Sequence, residues 1–342
     1  MNHLTINTRR LLLVALLFLA AASNLVAQQQ ATTLLTLSKQ ADIVALATVT
    51  ANTDPSPALR RVAFRLDRSF KGSVATNFAL IEGAGRCCGR ALVETIPSQQ
   101  YLLFLQRKGP RLHPLGGERG LLKPDAQLTE HIESLLGAST NAAQQDLLVA
   151  ALDNPNRRVR ADAALALPTL PTLTNRGATA AKVMAALRRE LPGGSTLVPS
   201  LLDATVRADP DSAATSLTEI YLETARKDTA KLLRVTLSRL PGQRVREQLL
   251  LANVVNREDL APRLRAAELL QAMPATDNVR ILDLMLANAK QPRLELAIAE
   301  ALLAAKVPAT QLRTRVAPPV LELAQKRRDQ RARFRIPRSR IR

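Results

Sequence analysis

The stretch that decides the fold is Asp146-Leu-Leu-Val-Ala-Ala-Leu-Asp153-Asn-Pro-Asn-Arg-Arg-Val-Arg160-Ala-Asp-Ala-Ala-Leu-Ala-Leu167. Apolar residues recur three and four apart on both sides of the central Asn-Pro-Asn, the spacing of two short helices joined by a turn. Pro155 lacks a backbone N–H and so ends the first helix. In the second helix Val159 and Arg160 precede the adjacent small residues Ala163 and Ala164, which let a neighbouring helix approach closely. Asp153 is placed to accept hydrogen bonds in the turn, and Arg160 to reach between repeats. These are structural roles, and a single hairpin of this size cannot bury its own apolar face.

The pattern returns further along the chain. Arg263, Ala266, Ala267 and Leu270 repeat the internal spacing of Arg160, Ala163, Ala164 and Leu167 at an offset of 103 residues, an interval that holds three units of roughly 34 residues. A looser copy begins at Arg293, whereas Val245-Arg246 is followed by Glu-Gln-Leu-Leu and lacks the alanine pair. The quoted unit resembles a HEAT repeat across both of its helices. That resemblance implies an α-solenoid, with generic helical-bundle packing as the competing architecture.

Between Pro, Gly, Asn and Asp breaks, the same periodicity predicts helices over about 127–136, 141–152, 156–170, 178–190, 197–207, 212–225, 228–239, 243–255, 261–273, 276–288, 291–304 and 308–325. The absence of Trp and the presence of only two Tyr and six Phe leave Leu, Ala and Val to fill the core, which also favours closely packed helices.

Upstream of residue 126 the pattern changes to period two. Ile43, Ala45, Ala47 and Val49 alternate, as do Val62, Phe64 and Leu66, then Phe78 and Leu80, then Tyr101, Leu103 and Leu105. About five strands separated by turns at 52–57, 71–73, 83–89, 108–110 and 116–120 predict a small barrel or sandwich. The segments Arg61-Val-Ala-Phe-Arg-Leu-Asp-Arg-Ser-Phe-Lys-Gly72 and Tyr101-Leu-Leu-Phe-Leu105 look like the netrin/TIMP-like modules of OB type found in exported proteins. The amino-terminal cysteine of those modules has no counterpart at Gln28-Gln29-Gln30, so protease inhibition is not carried over. The expected fold is thus multidomain: a small OB-like β module over 28–125, a HEAT-like α-solenoid over 126–325 and a basic tail over 326–342.

Residues 1–27 read as a secretory signal peptide. Arg9-Arg10 precede a dozen apolar residues, and Ala27 or Ala22 offers a small residue for cleavage. Retention of the segment as an anchor is the alternative, although the run is shorter than a comfortable span. Export places the protein in the periplasm or outside the cell, with membrane association as a further option. There the adjacent Cys87 and Cys88 form a strained disulfide, stay free or pair between molecules.

The net charge of +19 is unevenly spread. Residues 126–325 hold 24 basic and 21 acidic side chains, whereas residues 326–342 hold 9 and 1. The helical array is nearly balanced, which argues against a nucleic-acid-binding solenoid. Lys326, Arg327, Arg328, Arg331, Arg333, Arg335, Arg338, Arg340 and Arg342 are candidate contacts for an anionic membrane or envelope polymer; a solvated tail is the plainer reading.

Convergent chemistry is scarce. His3, His113 and His131 form no HxxxH or HxH pair, no phosphate-binding glycine loop occurs, and no cofactor or metal is expected. The expected function is an exported scaffold holding a protein or peptide partner. Docking to an anionic envelope surface is the first alternative. The second is an enzyme, which would need His113, Cys87 or acidic residues to converge in a pocket.

Overall fold

The computed structural model describes residues 32–56, 59–83, 95–174, 176–251 and 258–334. The proposed signal peptide, Cys87 and Cys88 lie outside them. The chain divides into two compact units between Thr172 and Leu173.

The first unit opens with a helix, α1 (Leu34–Gln40), where the sequence reads only as a polar start. Its cap is local: Thr33 Oγ1 accepts from the Thr36 N–H at 3.1 Å. Its length is not self-sustaining. Burial of Leu34, Leu35 and Leu37 against the rest of the unit makes it form.

Strands β1 (Ile43–Ser56), β2 (Leu59–Lys71), β3 (Asn77–Gly83), β4 (Gln100–Lys108), β5 (Arg111–Pro114) and β6 (Leu121–Leu122) follow. They pair antiparallel in the order β3-β2-β1-β4-β5, with β6 also on β4. β3 and β5, at opposite ends of that order, approach each other, and the sheet curls into a half-barrel. Its inner face is the expected alternating set, including Ile43, Val49, Val62, Phe64, Leu80, Tyr101, Leu103 and Leu105. Phe64 stacks on Phe78 at 5.4 Å between ring centroids. Val44, Leu102 and Phe104 point the other way and are equally buried. α1 packs against β4, which is buried on both faces along residues 101–105.

The turn expected at 52–57 is largely strand. Asn52 pairs with Val62 and Thr53 with Arg61 across register shifts, and Asn52 Nδ2 donates to the Thr95 carbonyl at 2.6 Å. Cross-strand bonding outweighs the turn propensity of Asn-Thr-Asp-Pro, as a bulged hairpin permits. After β2 the turn at Gly72 does form. There φ is +69°, and a Cβ would sit 2.2 Å from the Asp42 carbonyl oxygen, so only glycine fits.

Three helices complete the unit: α2 (Ala126–Gly137), α3 (Asn141–Ala151) and α4 (Arg157–Ala166), the last extended by a 3-10 turn to Thr169. α1 packs on α2 and α4, and α2 also touches β2. This compact unit therefore extends past residue 125 and takes in the hairpin quoted above.

The second unit is helical: α5 (Arg176–Glu190), α6 (Val198–Ala208), α7 (Pro210–Glu223), α8 (Lys227–Leu237), α9 (Gly242–Leu251), α10 (Leu260–Ala272), α11 (Asn278–Ala287), α12 (Pro292–Ala304), α13 (Ala309–Leu312) and α14 (Pro318–Phe334). Most expected helices appear within a few residues. The exception is 308–325, which splits because Pro318 and Pro319 disfavour helix at Ala317 and start a new one. α14 then runs through residue 325, so Lys326–Phe334 continue a helix. Within the unit α7 packs on α9 and α10, α10 on α12, and α12 on α14; α8 and α11 flank α10. No described helix is long and apolar enough to cross a membrane.

Candidate functional site

The hairpin of α3 and α4 is built as its sequence requires, with one reassignment. Asn154 Oδ1 accepts from the Asn156 N–H at 2.8 Å, and Asn156 Oδ1 caps α4 by accepting from the N–H groups of Arg158 and Val159. The turn is therefore held by these two asparagines as well as by the backbone bond from Asp153 to Ala150. Arg160 Nη1 donates to the Asn154 and Pro155 carbonyls at 2.7 and 2.8 Å. Arg160 thus clamps its own turn instead of reaching a neighbouring repeat. Ala163 and Ala164 are fully buried, as helix approach demands.

Arg263, at the equivalent position in α10, behaves differently. The residue is 6% exposed, and its guanidinium donates to the Met285 and Asn288 carbonyls at 2.8 and 2.9 Å. Met285 lies in the last turn of α11 and Asn288 is the residue that caps it, so a buried cation meets two carbonyls at the end of that helix. Burial pushes its pKa below the usual arginine value. Ala266 and Ala267 beside it are fully buried.

Polar bridges of similar span recur along the second unit. Arg226 Nη1 donates to the Pro192 carbonyl at 2.7 Å, a separation of 34 residues. Arg234 meets Glu268 at 3.2 Å, again 34 residues on. Arg246 pairs with Asp277 over 31 residues, Arg315 with Asp283 over 32, and Arg331 with Glu300 over 31. Gly194, at φ +63°, leaves room for the Arg226 side chain: a Cβ there would lie 2.3 Å from Nη2.

The basic carboxy-terminal segment is tied in by Glu300, a carboxylate 7% exposed on α12. Arg327 binds its Oε1 at 3.1 Å and Arg331 its Oε2 at 2.9 Å, with Gln271 on Oε2 at 3.2 Å. Two of the nine candidate cations thus secure α14 to α12, and Arg328 pairs with its neighbour Asp329 at 3.3 Å. Lys326 is exposed. Arg333 falls in the last turn of α14, and Arg335, Arg338, Arg340 and Arg342 lie outside the described residues.

His113 sits on β5 opposite Gln106; Cys87, its suggested partner, is outside the described residues. His131, on α2, is buried with Asp162 of α4. Their Nε2 and Oδ2 atoms are 3.8 Å apart, too long for a hydrogen bond. Asp162 Oδ1 accepts from the Leu34 N–H at the start of α1. This polar junction between three helices was not foreseen from sequence. Its only sequence signal is a charged residue between alanines on the buried face of the hairpin.

In the second unit the buried Tyr221 hydroxyl has no hydrogen-bond partner among the described residues. Burial, reinforced by the Glu268 charge, pushes its pKa up. Among the described residues no three His, Cys, Asp or Glu side chains are grouped to hold a metal ion.

Two open grooves of about 390 Å³ each lie in the first unit. One, beside the start of α2, presents Arg68 and Gln100 together with Asp125, Glu130 and Glu133. Arg68 pairs with Glu133 across it. The other lies beside the end of α1 and brings Lys39 and Lys71 to an apolar floor.

Compared with protein-family models, with curated proteins and with solved structures, the chain shows no match.

Proposed function

We propose that this protein is an exported, non-catalytic scaffold in which an OB-like half-barrel precedes HEAT-like hairpins, and that the hairpin surface holds a protein or peptide partner. The observation that carries this reading is that five side-chain bridges of the second unit span 31 to 34 residues, within a set whose separations run from 22 to 43. A group of bridges about one repeat length apart is what stacked repeats produce when each touches chiefly its neighbour. It agrees with the interval set by Arg160 and Arg263. The OB-like reading is supported by the strand order β3-β2-β1-β4-β5 with β3 returning toward β5, as in a partly open five-stranded barrel. Export rests on the sequence of residues 1–27.

Affinity capture from an envelope fraction, with the chain beginning at residue 28 as bait, is expected to enrich one dominant protein. That protein should then bind purified bait directly. Charge reversals at exposed bridging residues such as Glu268 should weaken it more than equivalent changes on β2. A bait that enriches nothing above background removes the scaffold reading.

A second reading, docking to an anionic lipid or polysaccharide surface, is favoured by α14. Glu300 holds this helix in place through Arg327 and Arg331 while Lys326 stays exposed and more cations follow Phe334. Each basic residue near an anionic membrane adds on the order of 1 kcal/mol, screened over a Debye length of about 10 Å at 0.1 M salt. Removal of residues 335–342 should therefore abolish sedimentation with anionic liposomes, and raised salt should weaken it steeply. Cutting at 326 is a poorer test, because it strips the buried Glu300 of both its arginines. Liposome binding that survives removal of 335–342 unchanged eliminates this reading.

A further inference from the structure

We infer that the groove between α1, the end of β2 and the end of α2 is a binding site for a small anionic amphiphile, with a carboxylate head and a short alkyl body. Leu35, Phe70, Leu135 and Leu136 supply its apolar lining. Leu35 and Leu135 are buried, and the Arg68 guanidinium covers Phe70 from 4.9 Å, which fixes the ring. No acidic side chain lines the groove.

Two lysines bring donors to the groove. Lys71 Nζ donates to the Ser38 and Lys39 carbonyls at 2.9 and 3.1 Å. Lys39 Nζ donates to Gln144 Oε1 at 2.8 Å. Since an ammonium has three donors, one remains on Lys71 and two on Lys39. Gln144 is held in turn by its Nε2, which donates to the Ala138 carbonyl at 2.8 Å.

Ser38 supplies the independent observation. Its residue is only 3% exposed, it lines the groove, and its hydroxyl has no hydrogen-bond partner among the described residues. A buried hydroxyl left unpaired costs about 1–3 kcal/mol, and an anion received beside it removes that cost. Two cations, an unpaired hydroxyl and an apolar floor with no carboxylate match a ligand with one anionic end and one apolar end. This inference concerns the first unit and stands apart from the partner proposed for the hairpins.

Titration calorimetry of the purified chain with octanoate tests it, with octanol and acetate as probes lacking the charge or the alkyl body. Saturable octanoate binding is expected, stronger than either control and weakened by salt. Lys39→Gln, an exposed change that leaves the Lys71 bonds intact, should weaken binding by roughly tenfold, the size of one lost charge-assisted hydrogen bond. Ala138→Trp, which adds bulk at a half-buried lining position, should abolish it; unchanged circular dichroism and melting would show both variants folded. Octanol binding as tightly as octanoate, no saturable octanoate binding, or octanoate binding unaffected in the folded variants each overturns the inference.

Discussion

Replacing Asp162 by alanine is expected to lower the stability of the first unit by about 2–4 kcal/mol. The carboxylate is 3% exposed and accepts from the Leu34 N–H, the first residue of α1. Alanine strands that buried donor, removes the group facing His131 and leaves a small void among α1, α2 and α4. Asparagine is the discriminating replacement. It keeps an acceptor oxygen for Leu34 but loses the charge, so it should retain a large part of the difference. Denaturant unfolding measures the loss, and hydrogen exchange locates it: the Leu34 amide should lose protection in the alanine variant and keep much of it with asparagine. An alanine variant as stable as the parent, with Leu34 still protected, would show that α1 is held by its leucines alone.

The second large effect is expected at Arg263. Arg263→Met should cost about 2–4 kcal/mol, because two carbonyls at the end of α11 lose their donor at once in a buried setting. Arg263→Lys should cost less. An ammonium keeps the charge near the negative end of the helix, worth up to about 2 kcal/mol when partly buried, but cannot span two carbonyls with a rigid fork. The order parent, lysine, methionine in unfolding midpoint is therefore the expected result. The equivalent substitution at Arg160 should have a smaller effect, since its turn is also secured by Asn154 and Asn156. Equal losses at the two arginines would contradict the different roles their contacts assign.

The contrast between these arginines shows how far the sequence could be read. Arg160 and Arg263 share their spacing to an alanine pair, and both pairs are buried as the spacing requires. The sequence could not say which carbonyls each guanidinium would reach, because an arginine's reach covers its own turn and its neighbour's alike. Helix positions were legible because their breaks are proline, glycine and asparagine. α1 was not: seven residues have too little periodicity to register, and the helix exists through packing.

The candidate binding residues divide in the same way. The basic segment after residue 325 was visible as charge, but its attachment to Glu300 was not, since nothing in the sequence marks one buried glutamate among alanines and leucines. Lys39 and Lys71, at the end of α1 and the end of β2, are 32 residues apart with no shared motif. They meet only because the sheet brings β2 back beside α1.

By itself, then, the sequence determined the change from period two to period three and four near residue 126 and the small-residue pairs that helices pack upon. Each is a local property, fixed by side-chain size, polarity and backbone preference within a few residues. Tertiary structure alone decided the curl of the sheet, the burial of Asp162 and Glu300, and the partners of Arg160 and Arg263. Those depend on which distant segments exclude water together, and no local pattern encodes that.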